Sequence, residues 1–103
     1  MDIEEVSRIA LALDGVRQSS VKGRFRWSLS GRLVARQLDE DSVVIRSGFA
    51  ERERLLAAYP DTFSVPPRFE AHMMIVAWLP HADLDVVTIA IRSAWELQSS
   101  SAD

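Results

Sequence analysis

The chain has 103 residues, of which 48% are apolar and 26% charged, a length and balance that fit one globular domain rather than a disordered segment. It contains no cysteine, which excludes disulfides, thiolate metal sites and cysteine nucleophiles, and no apolar run approaches the length of a membrane-spanning helix. The formal net charge of −3 is not the strongly basic balance of a typical nucleic-acid-binding domain.

Residues 2–13 are predicted to form a helix. Asp2 with Glu5 three positions later has the spacing of a capping box, Ile3, Val6, Ile9, Ala10 and Leu13 recur on one helical face, and Asp14-Gly15 supplies a stop. Residues 21–29 give the clearest strand signal. Val21, Gly23, Phe25, Trp27 and Leu29 alternate with Lys22, Arg24, Arg26 and Ser28, so period two places an apolar set on one face and three cations on the other. Ser30-Gly31 is a tight-turn signal, and residues 32–38 return as a second strand. Asp39-Glu40-Asp41 reads as a turn, and the β-branched segment 42–46 as a third strand that completes an antiparallel meander.

Residues 49–59 are predicted to form a second helix with Leu55, Leu56 and Tyr59 inward, ended by Pro60. Residues 60–70, with Pro60, Pro66 and Pro67, are expected to be an irregular connection. The nearly continuous apolar run 71–79 reads as a buried strand. Residues 84–98 form the last predicted helix, with Asp83 as N-cap and Leu84, Val87, Ile91, Ala94 and Trp95 on its apolar face. Residues 99–103 are a polar tail, expected to fray. The order α-β-β-β-α-β-α predicts a single α+β domain over residues 1–103, an antiparallel sheet with helices packed on one face.

Charge is unevenly distributed along the chain. Six basic residues lie between positions 17 and 38 with no acid among them, and eleven of the twelve basic residues are arginine, whose planar fork suits phosphate or carboxylate. Residues two apart on a strand face are separated by about 6.5–7 Å, so Lys22, Arg24 and Arg26 form a basic row that Arg32 and Arg36 on the partner strand are expected to extend. These five are the candidate nucleic-acid-binding residues, contacting phosphates with little sequence readout. The alternative is a solvated outer sheet face. Phe25 and Trp27 alternate with the cations and are assigned to the core rather than to base stacking, as are Trp78 and Trp95. His72 and His81 lack a third nearby ligand of metal-site spacing, and the serines lack a neighbouring base. The four glycines are scattered, so no phosphate loop is present. No catalytic residue, metal or cofactor is therefore expected, and the N-terminus MDIEEVSR has no signal-peptide h-region.

The sequence resembles the MmcQ/YjbR family of small bacterial proteins across nearly its whole length. The resemblance rests on Ala12-Leu13-Asp14-Gly15-Val16 and on the strand–turn–strand segment Phe25 to Ala35. It rests also on Glu51-Arg52-Glu53-Arg54-Leu55-Leu56-Ala57-Ala58-Tyr59-Pro60, on Asp61-Thr62-Phe63 and on Ala94-Trp95-Glu96-Leu97. Two features depart from it: no proline precedes Phe25, and Trp78 stands where the family often has an arginine. The resemblance implies a frataxin-like fold and DNA contact through a double-wing surface. No catalytic residue set is carried over from the family. Iron binding of the frataxin type is not expected, because the first helix carries only Asp2, Glu4 and Glu5 at its start. The sequence-based expectation is a non-enzymatic, cytoplasmic, monomeric DNA-binding module with no membrane contact. The alternative is a domain that binds a protein or a small anionic ligand in a groove bordered by the apolar strand 71–79 and the Pro-rich segment 60–70, with the arginines gripping an acidic partner or a carboxylate ligand. A convex strip of cations favours the first, and a concave pocket that some of them line together with Tyr59, Phe69 or Trp78 favours the second.

Overall fold

Asp2 opens the first helix as its residue types dictate. The Glu5 N–H donates to Asp2 Oδ1 at 2.9 Å and the Asp2 N–H donates to Glu5 Oε1 at 3.2 Å, closing a reciprocal cap that satisfies two otherwise orphaned donors. The computed structural model describes residues 1–100 and shows an α+β domain of three helices and one six-stranded sheet. The elements are α1 (Ile3–Leu11), β1 (Val16–Val21), β2 (Arg24–Leu29), β3 (Arg32–Gln37), β4 (Ser42–Arg46), α2 (Phe49–Ala58), β5 (Phe63–Ser64), β6 (Met74–Trp78) and α3 (Leu84–Ser100), with a 3-10 turn at Pro67–Phe69 between β5 and β6. The strands lie in the order β1-β2-β3-β4-β6-β5, and every neighbouring pair is antiparallel.

The expected strand over 21–29 is two elements. Val21 pairs with Arg24, leaving Lys22 and Gly23 as a two-residue turn with φ of 53° and 78°. Left-handed backbone at both central positions is what a type I′ hairpin turn needs to match strand twist. Ser30-Gly31 repeats this geometry, with φ of 51° and 79° between the paired Leu29 and Arg32. The strand β1, unforeseen from sequence, buries only its first residue, so an edge strand with five exposed side chains carries no alternation to detect. The short β5 lies inside the connection expected to be irregular, and the last strand is trimmed from 71–79 to Met74–Trp78. The expected tail instead continues α3 through Ser100; residues 101–103 lie outside the described residues.

All three helices feed one core on one face of the sheet. Val6 and Ala10 of α1, Leu55 of α2, and Val87, Ala90, Ile91 and Ala94 of α3 meet Trp27, Ala35, Val43, Ile45, Ile75 and Ala77. Among the described residues no α-helix packs on the opposite face. Over β4 and β6 a smaller apolar cluster of Val44, Val76 and Phe69 is covered by the 3-10 turn. Over β2 and β3 that face carries the arginines. Trp27 is fully buried, its indole N–H donating to Gln18 Oε1 at 2.8 Å, and the Trp95 indole donates to the Asp14 carbonyl at 2.9 Å. Trp78, assigned to the core from sequence, is 47% exposed. It lies one residue beyond the core-facing Ala77, so the pleat turns it outward, where its ring meets His81 at 5.8 Å. Leu84 and Tyr59, also expected inward, are exposed.

One buried cation ties the segment before β6 to the body. Arg52 of α2 is 7% exposed and reaches four carbonyls of one short stretch. Its guanidinium donates to His72 at 2.8 Å, Glu70 at 3.2 Å, Met74 at 3.4 Å and Phe69 at 3.5 Å. The ring of Phe49 lies 4.8 Å from Arg52 Cζ. Phe69, which covers the second face of the sheet, is thereby held through its own main chain.

Among the described residues no helix is long and apolar enough to cross a membrane.

Candidate anion-binding site

A β-bulge decides which predicted cations meet. Arg26 pairs with Arg36 and Trp27 with Ala35, but Ser28 pairs with Leu33, so Val34 is the extra residue of β3. In an unbroken strand Arg32 and Arg36, four apart, share a face. The bulge shifts that parity. Arg36 stands on the helix-free face beside Arg26, whereas Arg32 pairs with Leu29, whose side chain packs on the core. Arg32 donates from Nη1 to the Gln98 carbonyl at 3.4 Å, near the C-terminus of α3, where a cation is favoured by the helix dipole. Gln98 in turn donates to the Leu33 carbonyl at 2.6 Å. The expected extension of the basic row by Arg32 is therefore corrected: that side chain binds α3, on the other side of the sheet.

The other four expected residues line one concavity. Lys22 and Val21 at the first hairpin tip, Arg24, Phe25 and Arg26 of β2, and Arg36 and Gln37 of β3 surround about 480 Å³. Lys22 enters it from the turn and not from the strand face on which the sequence placed it. Arg24 and Arg26 project from alternate positions of β2, and Arg26 is directly opposite Arg36, a like-charge arrangement that costs stability. Arg68 joins from the 3-10 turn: its Cζ lies 4.7 Å from the centroid of the Phe69 ring, and Arg36 Cζ lies 5.7 Å from the same centroid.

No carboxylate neutralises this group. Among the described residues the one salt bridge is Arg54–Glu51 at 2.8 Å, remote from the concavity in sequence and on α2. Partial burial, then the charges of Arg68, Arg26 and Arg24, push the Arg36 guanidinium below its ordinary value. Arginine begins so high that it stays cationic throughout the biological range. Asp39 is the acid nearest in influence, but its carboxylate is engaged by the Asp41 N–H at 2.9 Å and the Ser42 hydroxyl at 2.8 Å. Those bonds hold its carboxyl below the usual carboxylate range, with a further small contribution from Arg24. Gln37 closes the inner wall: its Oε1 accepts from the Phe25 N–H at 3.2 Å and its Nε2 donates to the Asp39 carbonyl at 3.3 Å.

Of Tyr59, Phe69 and Trp78, the residues expected to line a concave pocket with the arginines, none lines this one; Phe69 stands beside it, against Arg36. Sequence reasoning did not reach Arg68 or Gln37. Arg68 lies in an aperiodic stretch, where Pro66-Pro67 marks a rigid turn without saying which way it folds. Gln37 has no pattern of its own. His72 and His81 are both exposed, and among the described residues no group of three His, Asp or Glu side chains is placed to hold a metal ion. Comparison with protein-family models, curated proteins and solved structures finds no match.

Proposed function

We propose that this domain is a non-enzymatic binding module for a small organic anion, held by Lys22, Arg24, Arg26 and Arg36. The carrying observation is the concavity of about 480 Å³ lined by four cations with no carboxylate paired to them. That volume lies within the roughly 300–1,000 Å³ of small-molecule sites. Unpaired guanidinium groups offer charge-assisted, bidentate hydrogen bonds that phosphate and carboxylate satisfy best. The α+β order and the motifs around Phe25 to Ala35 and Glu51 to Pro60 support placing the chain with MmcQ/YjbR-like proteins of the bacterial cytoplasm.

A second reading keeps DNA as the partner. It is favoured by the position of Arg24 and Arg26 on an exposed hairpin, where phosphates of a strand are reachable. The net charge of −3 and the concave form of the site favour the small ligand.

Titration calorimetry with adenosine 5′-monophosphate, phenyl phosphate and isophthalate, beside fluorescence anisotropy with a labelled 12-nucleotide single strand, separates the two. Binding of at least one small anion, weakened tenfold or more in Arg36→Met, is the expected result. Binding confined to the oligonucleotide, with a steep salt dependence, transfers the assignment to DNA. No binding of any probe at low salt removes both.

A further inference from the structure

The arrangement of the cations, beyond their number, says what kind of anion fits, granted that the concavity is an anion site at all. A track for a polymer needs charges spread in a line. Here they converge: Arg26 faces Arg36 across the ladder, Arg24 stands two positions along the same face, and Arg68 approaches Arg36 around the Phe69 ring. Around this focus lie Val21, Phe25 and Gln37, an apolar and amide-bearing wall with room beyond the charged head. We propose that the ligand is a phosphate monoester bound as its dianion, with the terminal phosphoryl group between Arg26 and Arg36 and the organic body toward Val21 and Phe25. A terminal phosphate places about two charges on one tetrahedral head, whereas a phosphodiester or a carboxylate places one. Where several cations meet at one point, the doubly charged head gains most from Coulomb attraction.

The side chains of the site make this legible in solution. Arginine is a cation throughout the biological range, and no histidine lines the concavity. Asp39, on the turn that follows β3, is held below the usual carboxylate range and stays ionised over the same interval. His72 follows the 3-10 turn but is exposed and does not line the concavity. A pH dependence of binding is then a property of the ligand. The second ionisation of a phosphate monoester falls near pH 6, so its dianion rises from about a tenth of the total at pH 5 to nearly all of it at pH 7.5.

The test is calorimetric affinity at pH 5.0 and 7.5, at fixed ionic strength. The probes are adenosine 5′-monophosphate, phenyl phosphate, the diester 3′,5′-cyclic adenosine monophosphate, and isophthalate. The proteins are wild type, Arg36→Met and His72→Asn. Affinity for both monoesters is expected to rise up to about tenfold with pH, with the cyclic diester flat and weaker. His72→Asn should keep the profile and Arg36→Met should lose the binding. Binding of isophthalate without preference for monoesters overturns the phosphate assignment and leaves the anion site standing. So does a pH rise that the cyclic diester shares or that His72→Asn abolishes. Absence of binding by every small anion removes the site itself, and the ligand class with it.

Discussion

Arg36 keeps its charge against three like-charged neighbours, and the sheet holds it there through the pairing with Arg26. Arg36→Met removes that repulsion and leaves an apolar chain against Phe69. Replacement of a like-charged cross-strand pair is worth several tenths of a kcal/mol up to about 1. The variant should therefore unfold at a slightly higher urea midpoint than wild type while losing its anion affinity, an opposition typical of residues retained for function rather than stability. Asp39 has the opposite character. Its folded-state value is depressed by its turn hydrogen bonds, so it stabilises the fold above the unfolded carboxylate value of about 3.9, and that contribution fades as pH falls through the lower folded value. Asp39→Asn should thus be less stable than wild type at pH 7, with the two urea midpoints converging below about pH 4. Lys22 sits at a φ of 53°, where Asn or Gly is the favoured residue of an I′ turn. Lys22→Asn is expected to gain roughly 0.5–1 kcal/mol in stability and to weaken anion binding. Paired thermal melts and calorimetry read both effects.

At the scale of elements, what could be read in advance follows from how strongly periodicity constrains each segment. The capping box at Asp2 and Glu5, the turn at Ser30-Gly31, the β-branched segment Ser42–Arg46 and the helix beginning at Phe49 lie where their residue types place them: the turn by its left-handed backbone, the others by a local signal joined to a buried face. The strand β1 escaped for the converse reason: with one buried residue in six it is specified by its partner and by the Lys22-Gly23 turn, not by its own pattern. The bulge at Val34 is invisible in the same way. Val34 and Ala35 are both fully buried, and an apolar pair on adjacent positions reads equally well as weak alternation. Yet that one residue separates the roles of two arginines that looked equivalent, giving Arg32 to the end of α3 and Arg36 to the concavity. Of the expected basic row, Arg24, Arg26 and Arg36 share the helix-free face, Lys22 reaches it from a turn, and Arg32 does not reach it.

The whole molecule is divided by its sheet. Three helices crowd one face and supply the core, so the other face is free to hold side chains that a core cannot tolerate. The unequal charge distribution of the sequence becomes spatial here. Arg24, Arg26 and Arg36 of the basic middle stand on the bare half of the sheet, while Glu4 and Glu5 lie on α1, Glu51 and Glu53 on α2, and Asp85 and Glu96 on α3. Arg68 and Phe69, which stand beside Arg36, come from a segment some thirty residues further along the chain. Long-range approach of this kind has no signature in local pattern, which is why the strand cations were legible in the sequence and the approach of Arg68 to Arg36 was not.

Arg52 and the stretch from Phe69 to Met74 form, in the language of supramolecular chemistry, a host and its guest. Four main-chain carbonyls of the host converge on a guanidinium, much as the oxygens of a crown ether converge on a cation. The tether to α2 supplies the guest at high effective concentration, but the recognition resides in the host. Arg52→Ala empties the host and leaves one buried and three part-buried carbonyls without their donor, so a loss of roughly 1–3 kcal/mol is expected. Ethylguanidinium at millimolar concentration should then raise the melting temperature of Arg52→Ala, by mass action on the folded state, and leave wild type unchanged. Ethylammonium at equal concentration, lacking the planar fork, should do so poorly. Equal response of both proteins to both amines would mean that the cradle is held together by its neighbours and not by its guest.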